Sequence, residues 1–319
     1  MGAPLVSILI PCYNAARWLP AALESAFSQT WPRTEVILVD DGSTDGSLAV
    51  ARSFGHRGLR ILTQPNSGAS AARNRGLGAA AGDFIQFLDA DDTLAPDKIE
   101  RQVERLATGP AGCVASSEWA RFRLDAAECV FSPQPNWRDM TGLEFMLLHY
   151  NRGWMMPPIA WLAPRAVLDA AGPWREDLSL NDDGEYFCRV LVRSAGVLFC
   201  AGSRACYRSA LPGSLSARKD GAALESLARS IEGATRTLLG TEDSPRVREA
   251  CANAWQQVCY ETYPLLPAEA RRAEREARAL GGARRRIEGG RAVLLADRLF
   301  GWRAAARLKA LGGRMRLPR

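Results

Sequence analysis

The segment FIQFLDADDTL, residues 84–94, constrains this chain more than any other stretch. Residues 84–88 form a largely apolar run of strand length that ends on three carboxylates, Asp89, Asp91 and Asp92. Burying an unpaired carboxylate costs several kcal/mol. A strand tip that carries three of them must therefore open onto a solvent-filled cleft, a cationic partner or a metal. A D-x-D pair offers two hard oxygen ligands to one divalent cation, which can in turn hold a diphosphate. The plainer alternative is a solvated acidic turn in which Asp92 or Thr93 caps the next helix.

The chain before this segment favours a site. Residues 5–10 (LVSILI) form an apolar run broken by Pro11. Asn14 is placed to cap a helix whose apolar positions Trp18, Leu19, Ala22, Leu23, Ala26 and Phe27 recur at helical spacing. A second strand over residues 36–39 runs into DDGSTDGS, where Gly42 permits a tight turn and Ser43, Thr44 and Asp45 can cap another helix. Residues 61–63 read as a third strand, and residues 66–83 as a helix leading to the strand at residue 84. This β-α-β-α-β-α-β order predicts a mostly parallel sheet with helices on both faces. Such sheets bind ligands at the carboxyl ends of their strands. Tyr13, Asp41 and Asp89 all fall just past strand ends on that edge. A ring and two acid clusters suit a base to stack, hydroxyls or a base edge to bond, and a metal to hold.

LVSILIPCYNAARWLPAALESAFSQTWPRTEVILVDDGSTDGS, followed by QPNSGASAARNRGLGAAAGDFIQFLDADD, resembles the N-terminal half of the family 2 glycosyltransferases, which have the GT-A fold. The motifs keep the family's order and spacing over residues 5–92. The resemblance implies that Tyr13 stacks on the nucleobase of a sugar donor, that Asp41 bonds its imide edge and that Pro11 shapes the pocket. It implies that Asp89 lies nearer the ribose and that Asp91 lies nearer a Mn²⁺ or Mg²⁺ ion and the diphosphate. Asp92 is a further acid whose part in liganding stays open. Arg73 either faces the donor phosphates or is a solvated helix residue.

Beyond residue 110 the parallel pattern weakens. Residues 113–122 read as a strand and 141–150 as a helix, and GWMMPPIAWLAPRAVLDAAGPW opens with a stiff, proline-bearing loop. Trp154 and Trp161 are either a sugar-stacking wall or core. In SLNDDGEYFCRVLVRSAG the pattern turns helical from Glu185, so Asp182 and Asp183 sit at a helix N-terminus. There they either cap the helix or supply a general base. The segment resembles the family's E-D motif ahead of a helical Arg. With Arg189 as that Arg, Asp183 takes the catalytic position and Asp182 the position usually held by Glu. Tyr207, Arg208 and residues 214–216 resemble a loop that closes over the diphosphate in some relatives. His149 reads as a structural group near a helix end.

The net charge of +6 conceals an asymmetry. Residues 271–319 hold 15 Lys/Arg against 4 Asp/Glu, a net +11, which leaves −5 for the other 270 residues. Residues 222–280 read as helices without site chemistry. The segment 291–310 is amphipathic, with Val293, Leu294, Leu299, Phe300, Trp302 and Leu308 set against Arg298, Arg303, Arg307 and Lys309. It either packs on the body or on a second copy of the chain, or lies on an anionic membrane surface. Nucleic-acid binding is disfavoured because no recognition fold precedes the basic run. The eight cysteines lack C-x-x-C spacing and read as reduced core residues of a cytoplasmic protein. Neither a signal peptide nor an apolar run approaching eighteen residues is found.

The expected fold is α/β, a GT-A-like, mostly parallel sheet flanked by helices over residues 1–220, with a nucleotide-sugar half (1–110) and an acceptor half (111–220). A helical region, basic from residue 271, follows over 221–319. The expected activity is inverting transfer from a nucleotide-sugar, with a UDP-sugar favoured, to a hydroxyl of a glycan or lipid-linked saccharide, in cell-surface polysaccharide synthesis. The rivals are a non-catalytic nucleotide-sugar-binding scaffold and a nucleotidyltransferase. The expected location is cytoplasmic, with peripheral contact at the inner membrane face through residues 284–319, and a homodimer remains an option.

Overall fold

The computed structural model describes residues 2–209, 218–263, 265–287 and 289–314. Its chain divides into two compact units, one of residues 1–146 and 154–217, the other of residues 147–153 and 218–319. The second unit thus takes a short piece from the middle of the chain as well as its end.

The first unit is built on a five-stranded sheet in the order β3-β2-β1-β4-β7. Its strands are β1 (Val6–Cys12), β2 (Thr34–Asp40), β3 (Arg60–Thr63), β4 (Phe84–Phe87) and β7 (Ala163–Pro164). The first four run parallel, and β7 is an antiparallel edge on β4. β1 lies between two neighbours and is covered on both faces, which is why it reads as a continuous apolar run and not as an alternation. The helices α1 (Leu19–Phe27), α2 (Ser47–Ser53) and α3 (Ala69–Ala79) join these strands. Leu19, Leu23 and Ala26 of α1 pack into the core with Ile8 and Ile10.

Pro11 does not end the first strand. β4 pairs with β1 only as far as Leu9, so beyond that point the missing N–H of proline leaves no ladder bond unmade on that side. The pairing with β2 continues through Pro11 and Cys12. Asn14 does not cap α1 either, because that helix starts at Leu19 behind Trp18. Nor does the solvated-turn reading of residues 89–93 hold. Thr93 and Leu94 form β5, Asp92 is 1% exposed, and the next helix, α4 (Lys98–Ala107), starts behind Asp97.

A second sheet, β5-β8-β6, joins β5 to β6 (Val114–Phe122) and β8 (Val197–Arg208). The chain between β6 and β8 carries α5 (Gly142–Arg152), α6 (Arg165–Ala171) and α7 (Asp182–Arg193). Trp161 is 2% exposed and stacks on Phe187 with centroids 5.6 Å apart, so it is a core ring and not part of a sugar-stacking wall.

The second unit contains α8 (Gly221–Thr241), α9 (Pro245–Thr262), α10 (Pro267–Ala279), α11 (Arg291–Phe300) and α12 (Trp302–Arg314). Asn253 on α9 ties it together. Its amide donates to Asn151 Oδ1 at 2.7 Å, and its own Oδ1 accepts the backbone N–H groups of Arg284 and Arg285 at 2.8 and 2.9 Å. The amphipathic segment is two helices and not one, because Gly301 adopts φ +77° and ends α11. No helix among the described residues is long and apolar enough to cross a membrane.

Candidate active site

The carboxyl edge of the parallel sheet gathers most of the residues marked out by the sequence. Tyr13 follows β1 and is 51% exposed, so its ring faces solvent. Asn14 holds that loop in place from the left-handed region, at φ +48°. Its Oδ1 accepts from the backbone N–H groups of Thr44 and Asp45 at 2.8 and 3.3 Å. Asp45 Oδ2 and Ser47 Oγ in return accept from the N–H groups of Ala16 and Ala15. The loops after β1 and β2 are thereby stitched into one platform.

Asp41 sits at the tip of β2, 3% exposed. Its Oδ1 accepts from Gln64 Nε2 at 2.7 Å and Ser67 N at 2.9 Å, and its Oδ2 from Gly68 N at 2.9 Å. A carboxylate has about four acceptor positions, so three are spent anchoring the turn that starts α3 and one is left. Asp40, which the sequence reading passed over, is 4% exposed and its Oδ1 has no partner.

Arg73 on α3 is neither solvated nor directed at open space. Its side chain is 7% exposed. One terminal nitrogen donates to Asp89 Oδ1 at 2.8 Å and the other to Asp182 Oδ2 at 2.9 Å. The guanidinium lies 4.6 Å from the ring centroid of Trp174, which stacks on Tyr186 at 3.9 Å. Burial opposes its charge, but Asp89 and Asp182 outweigh that and hold it firmly protonated. Ser70 Oγ also donates to Asp182 Oδ2, at 3.0 Å. The strand-tip acids and the N-terminus of α7 are therefore one cluster, although 93 residues separate Asp89 from Asp182.

Asp183 follows Asp182, the first residue of α7, whose cap Asn181 is in the left-handed region at φ +59°. Asp183 Oδ1 accepts from Gly184 N at 2.8 Å. Burial and the neighbouring Asp182 charge push its carboxyl up to about 6, against the pull of Arg73. Asp91 is likewise raised to about 6 by burial and by Asp89. Asp92 is raised well above the usual range by burial and by Asp91 and Asp89, and its Oδ2 is a buried oxygen without a partner.

Arg208, expected to reach the diphosphate, is a strut instead. It is 5% exposed; its backbone N–H donates to Asp92 Oδ1 at 2.7 Å and its Nε to the Asp91 carbonyl at 2.8 Å. Another nitrogen donates to the Arg123 carbonyl at 2.7 Å, and the guanidinium lies 4.1 Å from the Trp18 ring. The associated motif at residues 214–216 lies outside the described residues.

Asp89, Asp91 and Asp92 supply hard oxygen donors only, and Asp92 Oδ2 is a buried oxygen that no protein group satisfies. That donor set suits Mg²⁺ or Mn²⁺, which bind through one or two carboxylates and complete their shell with water and substrate phosphate. Among the described residues no three His, Cys, Asp or Glu side chains are grouped to hold a metal by themselves.

The fold is that of a GT-A-type α/β protein. Residues 7–126 match the model of "Glycosyl transferase family 2", and this segment belongs to that family. A putative teichuronic acid biosynthesis glycosyltransferase, TuaG of Bacillus subtilis, is 40% identical over 104 residues, 32% of this chain and 41% of that protein. The chain spans less than half the length of the curated relatives it first matches. Among solved structures, S. aureus TarS residues 1–349 in complex with UDP-GlcNAc superposes with a TM-score of 0.63 at 17% identity, over 88% of this chain and 93% of that one. A mannosyltransferase from Pyrobaculum calidifontis in complex with GDP-Man and Mn²⁺ gives 0.51 at 18% identity, over 100% and 82%. At these identities the likeness is one of fold, and the fold is GT-A.

Proposed function

We propose that this protein is an inverting glycosyltransferase that moves a sugar from a nucleotide-sugar, a UDP-sugar in the favoured reading, to a hydroxyl of a glycan or lipid-linked saccharide. The observation that carries the proposal is the Arg73 bridge. It joins a donor-side acid, Asp89, to an acceptor-side helix whose next residue, Asp183, is the base candidate. Tyr13 would stack on the nucleobase, with Pro11 shaping that pocket, and the remaining acceptor position of Asp41 would take the base's N–H. Arg73 would act on the donor through Asp89 and Asp182 and not by touching phosphate.

In the transfer step, Asp183 takes the proton of the acceptor hydroxyl and the oxygen attacks C1 of the donor sugar in line. The bond from C1 to the phosphate oxygen breaks, and the nucleoside diphosphate leaves with that electron pair. A divalent ion held at Asp91, with Asp92 beside it, would supply charge neutralisation for the leaving diphosphate. Asp183→Asn is expected to stop transfer while calorimetric binding of the donor nucleotide stays within about twofold; normal turnover in that variant would refute the assignment. Asp91→Asn is expected to remove the metal dependence of nucleotide binding, which calorimetry with and without Mn²⁺ would read.

We further propose a role in cell-surface polysaccharide synthesis, at the inner face of the membrane. Supporting this are the TuaG similarity and the basic segment 284–319, which would bring the enzyme to a lipid-linked acceptor.

A further inference from the structure

The amphipathic segment is split by Gly301, and its apolar residues fall into two groups, one packed and one exposed. Val293, Ala296 and Trp302 turn inward and pack with Tyr260, Ile287, Ala305 and Ala306. Trp302 lies 5.6 Å from Tyr260 and 5.5 Å from Tyr263, ring to ring, so it is not available to a membrane. The other group has no cover. Leu295, Leu299 and Phe300 are 57, 62 and 75% exposed, and Leu294 is close to half exposed. Arg291, Leu294, Leu295, Arg298 and Leu299 recur at spacings of three and four residues and so share one face of α11. Neither Arg291 nor Arg298 has an ion-pair partner among the described residues, whereas Arg303 at the start of α12 is held by Glu274 at 2.6 Å. Asp297, the only acid of α11, is half-buried and off that face.

We propose that the Arg291-Leu294-Leu295-Arg298-Leu299 face of α11 docks on an anionic lipid surface. A leucine strip between two unpaired guanidinium groups fits the boundary between headgroups and acyl chains. The leucines enter the apolar layer while the arginine stems lie along it and their heads reach phosphate. A second copy of the chain is a poorer occupant, since a two-fold contact would bring this face against itself and oppose its unpaired arginines. This inference rests on the proposed membrane-side acceptor only for its purpose. The binding itself is read without any transfer reaction, so the two can fail separately.

The test is flotation of the full-length chain with vesicles of phosphatidylcholine alone and with about one third phosphatidylglycerol. The expected result is binding to the anionic vesicles only, weakened by salt. Arg291→Glu/Arg298→Glu should lower the bound fraction roughly tenfold or more. Leu295→Ser/Leu299→Ser should give a loss of the same order. Both variants change exposed side chains and should keep the wild-type circular dichroism and melting temperature. Equal binding to neutral vesicles, no binding to either kind, or variants that bind like the wild type would each overturn the proposal. A dimer seen by light scattering and dissolved by Leu295→Ser/Leu299→Ser would also overturn it and assign the face to a second copy. Vesicle binding without transfer to any lipid-linked acceptor would keep the docking surface and remove the acceptor reading.

Discussion

Arg73 is the residue on which the site turns, because it neutralises two carboxylates from opposite parts of the chain. Removing one partner of a buried ionic network leaves the others uncompensated, at roughly 3–5 kcal/mol. Arg73→Ala is therefore expected to lower the melting temperature by about 10 °C, using roughly 2–4 °C per kcal/mol for a unit of this size. Arg73→Lys keeps the charge but reaches only one of the two acids, so it should lose less stability while still lowering transfer. Thermal unfolding of both variants beside donor-binding calorimetry checks this. If Asp183 is the base of the proposed transfer, it sets the pH response. Its carboxyl is held up to about 6, and a base must be ionised, so kcat/KM is expected to rise with pH through about 6 and then level off. The groups that face it are Asp182, Asp89 and Arg73, and Asp182→Asn, by removing a neighbouring negative charge, should move the midpoint down.

At the scale of elements, the turn after β2 shows how closely the backbone is fixed around the carboxyl edge of the sheet. Gly42 adopts φ +73°, and a Cβ there would lie 2.8 Å from the backbone nitrogen of Asn66. Gly42→Ala should cost about 1–3 kcal/mol through strain alone. It should also push away the residue 64–68 loop that anchors Asp41, weakening nucleotide binding; denaturant titration and calorimetry read the two effects. The α7 N-terminus illustrates a different relation between element and role. Three acids in its first turn, Asp182, Asp183 and Glu185, complement the helix dipole. Only packing assigns them apart: Asp182 to Arg73, Glu185 to Arg189 at 2.9 Å, and Asp183 to its own Gly184.

At the scale of the whole molecule, the division into units does not fall at one point in the sequence. Residues 147–153 belong with the C-terminal helices, through Asn151 on Asn253 and the Tyr150 carbonyl on Arg285 at 3.3 Å. A chain truncated at residue 220 keeps this segment and loses its partners. It is expected to melt well below the full-length protein and to aggregate, whereas a simple two-domain chain would lose little. Comparing the two proteins by thermal unfolding and light scattering decides between these.

The order of strands and helices over residues 5–92, and the family likeness of that stretch, could be read directly from the sequence. Apolar runs of strand length and glycine-bearing turns are local signals, and each element there is joined to the next by a short connection. The acids at 89, 91, 92, 182 and 183 were likewise visible as residues. What they touch was not visible, because it depends on contacts between distant segments. Arg73 was open to two readings, phosphate contact or a solvated face, and tertiary packing gave a third, a buried bridge 16 residues from one partner and 109 from the other. Arg208 resembled a phosphate ligand and is a strut, because three backbone carbonyls converge on its guanidinium. Trp161 became core and Trp302 packing, because spacing tells which residues share a face but not what covers that face. The sequence determined the local elements and the chemistry available to them. The tertiary structure decided which charges meet and which apolar faces are left open, because both depend on segments far apart in the chain packing side by side.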